Sequence, residues 1–251
     1  MIHFVGAGPG APDLITLRGA KLIEKAGVIV YAGSLVNPEL LKYANPGCRS
    51  YDSSSMTLEE VIDKLREAHS SGIEAVRLHT GDPSIYGAIR EQIDILKKLG
   101  IPYDITPGVS SFCAAAAVAE AEYTLPSVSQ TVIISRMEGR TPVPEKEKIR
   151  LLASHQASMV LFLSSGMLEN LCSELIEGGY PPETKAALVY KASWPEQKII
   201  STDLSGLAKS ADKAGIKNTA LVLVGNFLGD EYDLSKLYDK HFSHGFRKAV
   251  K

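Results

Sequence analysis

An α/β fold with mostly parallel strands, divided into two domains, is what this sequence predicts. Three observations carry the prediction. Short β-branched runs alternate with amphipathic stretches, the alternation breaks near residue 123, and glycine- and proline-rich turns follow strands in the first half. The strand candidates are residues 2–5, 28–32, 75–78, 131–135, 158–163, 186–190 and 220–225. Of the helices between them, 57–70 is the clearest. Thr57 is followed three residues later by Glu60, the pattern of a reciprocal capping box, and Leu58, Val61, Ile62 and Leu65 supply an apolar stripe.

The helix-like run 112–122 gives way to Tyr123, Thr124, Leu125 and Pro126 before strand character resumes at Thr131. A boundary is expected there. The reading is an N-terminal α/β domain over 1–122, a C-terminal α/β domain over 123–230, and a polar, aromatic tail with a basic end over 231–251.

Composition narrows the function classes. The chain has 251 residues, 45% of them hydrophobic, which suits a globular protein with one large or two smaller cores. Lysine and arginine total 27 against 29 acidic residues, so no long-range positive field draws the protein to nucleic acid or anionic membranes. An anionic ligand must therefore be held by local groups. The opening MIHFVGAGPG lacks the basic flank of a signal peptide, and no apolar run reaches bilayer-spanning length, so a cytoplasmic location is expected. Cys48, Cys113 and Cys172 lack paired close spacing and read as buried free thiols. His241 and His244 stand three apart with no evident third ligand, so no metal site is expected.

The first turn, GAGPGAPD at 6–13, lets backbone amides approach a ligand without side-chain obstruction. Gly6, Gly8 and Ala11 formally fit a dinucleotide-binding fingerprint, which makes a nicotinamide-dependent oxidoreductase the rival reading. Pro9 and Pro12 oppose it, because they are donor-free where that fingerprint begins a helix. The next strand also runs into Gly33 and Ser34 without a ribose-binding acid. A tight turn with no ligand is the plainer alternative.

The second turn, HTGDPSIYGA at 79–88, again follows a strand. Gly81 suits a positive φ, Asp82 suits a cap on the next helix and Pro83 its first position. The third, PGVSS at 107–111, opens the alanine-rich helix and is expected at the same sheet edge, where α/β proteins commonly bind ligands.

These motifs, in this order, resemble the tetrapyrrole methylase superfamily of class III S-adenosylmethionine-dependent methyltransferases. SQTVIISRMEGRTPVPE (129–145) and VYKASWPEQKI (189–199) are similar to segments of the precorrin-4 C-11-methyltransferases, including the cobalt-precorrin-4 enzymes. The similarity runs from about Met1 to about Gly225. It implies the tetrapyrrole methylase fold, with the active-site cleft between the two domains. It implies methyl transfer from S-adenosylmethionine, with S-adenosylhomocysteine as product, to carbon 11 of precorrin-4 or cobalt-precorrin-4 in cobalamin biosynthesis.

Carried over by motif, the donor site is Pro9, Gly81, Asp82, Ile85, Ser110, Ser111, Leu163 or Ser164, and Ala192. Relatives often carry Thr or Ala where this chain has Ser110 and Ser111. Arg136 and Arg140, with Lys191 as a weaker candidate, would meet the acetate and propionate groups of the substrate. The acceptor carbon is enamine-like, so no covalent nucleophile is needed, and alignment is the enzyme's main task. Asp104, Glu138, Tyr86 and His79 are candidate bases that the sequence does not rank, which leaves the catalytic residue unassigned. Other ring positions, a diphthine synthase-like acceptor, and a non-catalytic tetrapyrrole carrier are the remaining alternatives. The resemblance also implies a homodimer.

Overall fold

A computed structural model describes residues 1–250. The chain divides into two compact units, the first made of Met1–Ala114 with Lys191–Gln197 and the second of Ala115–Tyr190 with the chain from Lys198 onward.

The first unit holds a fully parallel sheet of β1 (Ile2–Gly6), β2 (Val28–Tyr31), β3 (Arg49–Asp52), β4 (Ala75–His79) and β5 (Tyr103–Thr106), in the order β3-β2-β4-β1-β5. Every residue of β1 and β4 is buried, as parallel strands covered on both faces require. On one face, α1 (Leu17–Lys25) sets Ile23 against Val5, Ile29, Val76 and Leu78. On the other, α2 (Leu58–Ser70) and α3 (Ile89–Lys98) set Leu65, Ile93 and Leu96 against Ile2, Phe4 and Val30. The expected capping box is present at α2. Thr57 Oγ1 accepts from the Glu60 amide, and a Glu60 carboxylate oxygen accepts from the Thr57 amide at 2.7 Å.

The strand order places a topological switch between β1 and β4. From β1 the chain leaves toward β2, and from β4 it crosses to β5 on the other side. Adjacent strands whose connections depart in opposite directions leave a crevice at their carboxyl ends. The first two glycine turns lie there.

One buried charge ties this sheet to its helices. Arg77 on β4 donates to the Val30 carbonyl of β2 and to Gln92 of α3, and Gln92 donates in turn to the Ala88 carbonyl. Burial lowers its pKa to about 10.

The second unit departs from the expected pattern. Its strands are β6 (Val132–Arg136), β7 (Ser158–Phe162), β8 (Lys185–Tyr190), β9 (Lys198–Asp203) and β10 (Ala220–Val224), in the order β6-β7-β10-β8-β9. Only β6 and β7 pair in parallel; β7–β10, β10–β8 and β8–β9 are antiparallel. The parallel prediction therefore describes the first sheet and corrects to a mixed, mainly antiparallel arrangement in the second. The reason is the short link 191–197 between β8 and β9, which contains no crossover helix of the kind a parallel pair needs. Three helices, α5 (Ile149–Ala153), α6 (Leu168–Glu177) and α7 (Leu204–Ala214), bury Ala153, Leu171, Leu175 and Leu207 against Met159, Leu161, Leu188 and Val222.

The division between units falls inside α4 (Ser111–Val118), where a helix over 112–122 is expected from sequence. The helix is shorter because Glu120 turns to a φ of 52°. Of the cysteines, Cys172 is buried and Cys48 half-buried, but Cys113 is exposed, which corrects the reading of three buried thiols. The tail beyond Glu231 is largely exposed; Arg247 donates to the carbonyls of Leu237 and Asp239, and Asp233 meets Ser127 and the Pro126 carbonyl. Among the described residues no helix is long and apolar enough to cross a membrane, and no three His, Cys, Asp or Glu side chains are grouped to hold a metal.

The capping box gives a direct test of local stability. Thr57→Ala should lower the free energy of unfolding by about 1 kcal/mol in urea denaturation, and Thr57→Ser should restore most of it.

Candidate functional site

Three backbone turns meet at the carboxyl edge of the first sheet. The turn after β1 and the turn after β4 pair with each other: the Gly8 amide donates to the Gly81 carbonyl at 3.2 Å and the Gly81 amide to the Gly8 carbonyl at 2.9 Å. The Ala7 amide adds a 2.7 Å bond to the His79 carbonyl. The turn after β5 closes against both. A Cβ on Gly108 would stand 2.1 Å from the Gly81 carbonyl oxygen, and one on Gly6 would stand 2.5 Å from the Gly108 Cα. No side chain fits at those distances. Gly81 is glycine for another reason, a φ of 57°, since a Cβ there would meet nothing nearer than 3.5 Å.

Asp82 fastens the second turn to the third. Its Oδ2 accepts from the Gly108 amide at 2.9 Å, and its Oδ1 accepts from the Ser84 amide and hydroxyl. Burial pushes this carboxyl's pKa up, but the hydrogen bonds from Ser84 and Gly108 outweigh it and the net value is lowered. The sequence-based role of helix cap is corrected. α3 begins at Ile89, after a left-handed Ala88, so Asp82 latches a loop.

The remaining donor-site candidates of this unit lie nearby in the chain or in space. Pro9 is buried and its carbonyl accepts from Trp194 Nε1 at 3.1 Å. The Ile85 amide donates to the Asp82 carbonyl. Ser110 is buried below the α4 terminus, its carbonyl accepting from Cys113, and Ser111 opens that helix. Ala192 is buried in the 191–197 segment, which belongs to this unit. Lys191 places its ammonium 5.1 Å from the Trp194 ring centre and 3.6 Å from a Glu196 carboxylate oxygen.

Leu163, Ser164, Arg136 and Arg140 belong to the second unit. Leu163 is exposed with a φ of 52°, an unusual backbone state for leucine. Ser164 is fully buried; its hydroxyl donates to the Phe162 carbonyl and accepts from the Met137 amide, joining the ends of β6 and β7. Arg136 donates to the carbonyls of Met137, Thr141 and Pro142, so its guanidinium shapes its own loop. Arg140, in the same loop, is exposed.

The candidate bases separate clearly. His79 is buried with Nε2 unpartnered, its ring stacked on Phe4 at 6.0 Å between centroids. Burial, with the charge of Arg77 adding, pushes its pKa down to about 3. So weak a base, sealed from solvent, is a poor proton acceptor. Asp104 is bonded to His3 Nδ1 at 2.9 Å, two residues before the end of β5. Tyr86 and Glu138 are exposed.

Two features bear on the ligand. The first turn runs into a single 3-10 turn, Pro12–Leu14, whose first residue has no amide to donate, and α1 begins only at Leu17, capped by Thr16, so no α-helix N-terminus stands at the first turn to meet a pyrophosphate. The three turns contain no lysine or arginine, and Asp82 is their acid at the junction. That composition suits a ligand carrying a positive centre and opposes a diphosphate.

Sequence reasoning missed Trp194, Ser193 and Asn37, which hold the first turn from outside it. Each acts over a long sequence separation, and the one available signal was the lone tryptophan beside Ala192.

Known proteins resemble this chain over most of its length. The family profile of the Tetrapyrrole (Corrin/Porphyrin) Methylases matches residues 1–208. A cobalt-precorrin-4 C(11)-methyltransferase of Methanocaldococcus jannaschii is 56% identical over 100% of this chain and 97% of its own. An X-ray structure of a cobalamin biosynthetic enzyme, cobalt precorrin-4 methyltransferase, superposes with a TM-score of 0.89 at 44% identity, covering 91% of this chain and 96% of that one. A uroporphyrin-III C-methyltransferase from Thermus thermophilus, solved in complex with S-adenosyl homocysteine, gives a TM-score of 0.75 at 26% identity, covering 90% and 92%.

The buried histidine yields a signed prediction. Its folded pKa lies below the ordinary 6.5, so its contribution to stability is complete above about 6.5 and is lost as pH falls toward about 3. The His79 ring should show no NMR titration between about pH 5 and 8. His79→Gln should flatten the fall in stability on the acid side in urea melts.

Proposed function

We propose that this chain, which belongs to the tetrapyrrole (corrin/porphyrin) methylases, transfers a methyl group from S-adenosylmethionine to carbon 11 of cobalt-precorrin-4 or precorrin-4 in cobalamin biosynthesis. The observation that carries the reading is the glycine junction of three turns, free of cations and latched by Asp82, in a chain 56% identical throughout to a relative named for that reaction.

The residues present fit such a donor. Glycines and small side chains at Gly8, Gly81 and Ser110 let a ligand approach the backbone where a bulky or cationic side chain would obstruct. Pro9, Gly81, Asp82, Ile85, Ser110, Ser111 and Ala192 are assigned to the donor, with Leu163 or Ser164 from the second unit. Since the Ser164 hydroxyl already bonds Phe162 and Met137, the exposed Leu163 is the better of that pair. When bound, S-adenosylmethionine supplies an electrophilic methyl on a positively charged sulfur. Backbone oxygens of the turns would offset that positive charge, and the rigid junction would fix the line of attack. Alignment of this kind is worth about 7–11 kcal/mol in well-oriented systems.

The substrate carries several carboxylates. Arg140 is the exposed cation of its loop and is assigned to them; Arg136 presents that loop, and Lys191 is a second, partly neutralised cation. No residue is assigned as a base, since an enamine-like carbon attacks the methyl directly. The nicotinamide alternative loses its footing with the delayed start of α1 and the cation-free turns. A cytoplasmic homodimer completes the proposal.

Calorimetric titration should show binding of S-adenosylmethionine and S-adenosylhomocysteine but not NAD. Gly81→Trp should abolish both without loss of the circular-dichroism spectrum. Incubation with cobalt-precorrin-4 and the donor should add one methyl at C-11 by NMR. A methyl at another ring carbon, or binding of NAD alone, would overturn the assignment.

A further inference from the structure

Three consecutive residues of the first glycine turn are gripped by side chains from two other segments of the same unit. Trp194 Nε1 donates to the Pro9 carbonyl at 3.1 Å. Asn37, which is buried, donates through Nδ2 to the Gly10 carbonyl at 2.8 Å, while its Oδ1 accepts from the Glu39 amide at 3.0 Å. The Ala11 amide donates to Ser193 Oγ at 3.0 Å. The fit is also steric. A Cβ on Gly10 would stand 2.1 Å from the Trp194 ring, so the indole lies directly on the bare backbone there.

From this arrangement we infer that Trp194, with Ser193 and Asn37, is a positioning clamp that sets the Pro9–Ala11 backbone for the methyl donor. The inference deepens the donor-site reading above and rests on it. Its logic is that a glycine-rich turn is soft. The pairing with Gly81 fixes Gly8, and a single 3-10 turn over Pro12–Leu14 follows Ala11, but Pro9 and Gly10 lie between the two and α1 starts only at Leu17. The clamp supplies the missing order by satisfying two carbonyls and one amide at once. Preorganised backbone binds with less loss of freedom, so the effect belongs in donor affinity. None of the three side chains is assigned contact with a reacting atom.

The clamp segment is itself shaped for the task. Lys191 and Ser193 take φ values of 45° and 70°, which turn the chain tightly enough to present Ser193 and Trp194 to the same turn. The Trp194 amide closes the bend on the Lys191 carbonyl at 3.0 Å, and the Ser193 amide donates to the Gln197 side chain at 2.9 Å.

Trp194 is the only tryptophan of the chain, so its fluorescence reports on this turn alone. Titrating wild-type protein with S-adenosylhomocysteine should change the emission saturably, with the same Kd as calorimetry. Trp194→Phe keeps an aromatic ring but removes the N–H. It should raise that Kd roughly threefold to tenfold, as loss of one hydrogen bond does. In steady-state assays KM for the donor should rise by a similar factor while kcat and KM for the tetrapyrrole hold, a split that general destabilisation would not give. Ser193→Ala, which leaves the indole in place, should show the same split if Trp194→Phe fails to fold. Equal Kd values for wild type and both variants, with emission unmoved by a ligand that calorimetry detects, would overturn the clamp. No calorimetric binding to wild type would instead overturn the donor-site reading itself.

Discussion

The architecture of the first unit turns on one steric condition, the approach of three backbone turns to within van der Waals contact at the ends of β1, β4 and β5. Gly6, Gly108 and the Gly81 carbonyl occupy space in which a single added carbon would collide. The sheet order is what makes the approach possible, because β1 lies between β4 and β5 and all three run parallel. The condition has a chemical result. Backbone is the main chemistry left at the junction, and Asp82 is committed to holding two turns together. A site built this way recognises shape and polarity through amides and carbonyls, and it aligns a ligand more than it attacks one.

The second unit solves a different problem with similar materials. Its helices lie on one face of a mixed sheet, and two loops are held by side chains that spend their hydrogen bonds internally. Ser164 joins the ends of β6 and β7, and Arg136 gathers the carbonyls of residues 137, 141 and 142. Both residues looked like ligand groups in the sequence. Their geometry makes them the supports of neighbours that are exposed, Leu163 and Arg140.

What the sequence disclosed followed burial. All seven strands expected from apolar runs are present, and the three it hid, β3, β5 and β9, lie at sheet edges. Edge strands such as RSYD and KIISTD are half exposed and carry polar residues, so hydropathy cannot distinguish them from loops. The capping box was legible because it is local, as were the glycine turns. The antiparallel pairing in the second sheet was not, since strand direction leaves no mark within a strand. Asp82 misled for a related reason: its sequence neighbours offered a helix to cap, while its partners are Ser84 in the same loop and Gly108, 26 residues away. Trp194 lies 185 residues from the carbonyl it binds, and no local pattern encodes such a partner.

The buried guanidinium of Arg77 carries an implication for how the chain finds its alignment. A strand that slips by one residue turns every side chain to the opposite face. For β4, that slip would take Arg77 away from Val30 and Gln92 and turn a desolvated charge toward Val5, Ile23 and Ile29 on the other face. Such an error is costly, because an unpaired buried charge is among the most destabilising defects a protein can hold. Apolar neighbours alone would tolerate the misalignment far better. The bonds of Arg77 thus favour the observed register of β4, in which Arg77 lies beside Val30 of β2 and Phe4 of β1. Four residues further along the chain, Gly81 lies opposite Gly8, so the register that Arg77 favours also sets the glycine junction.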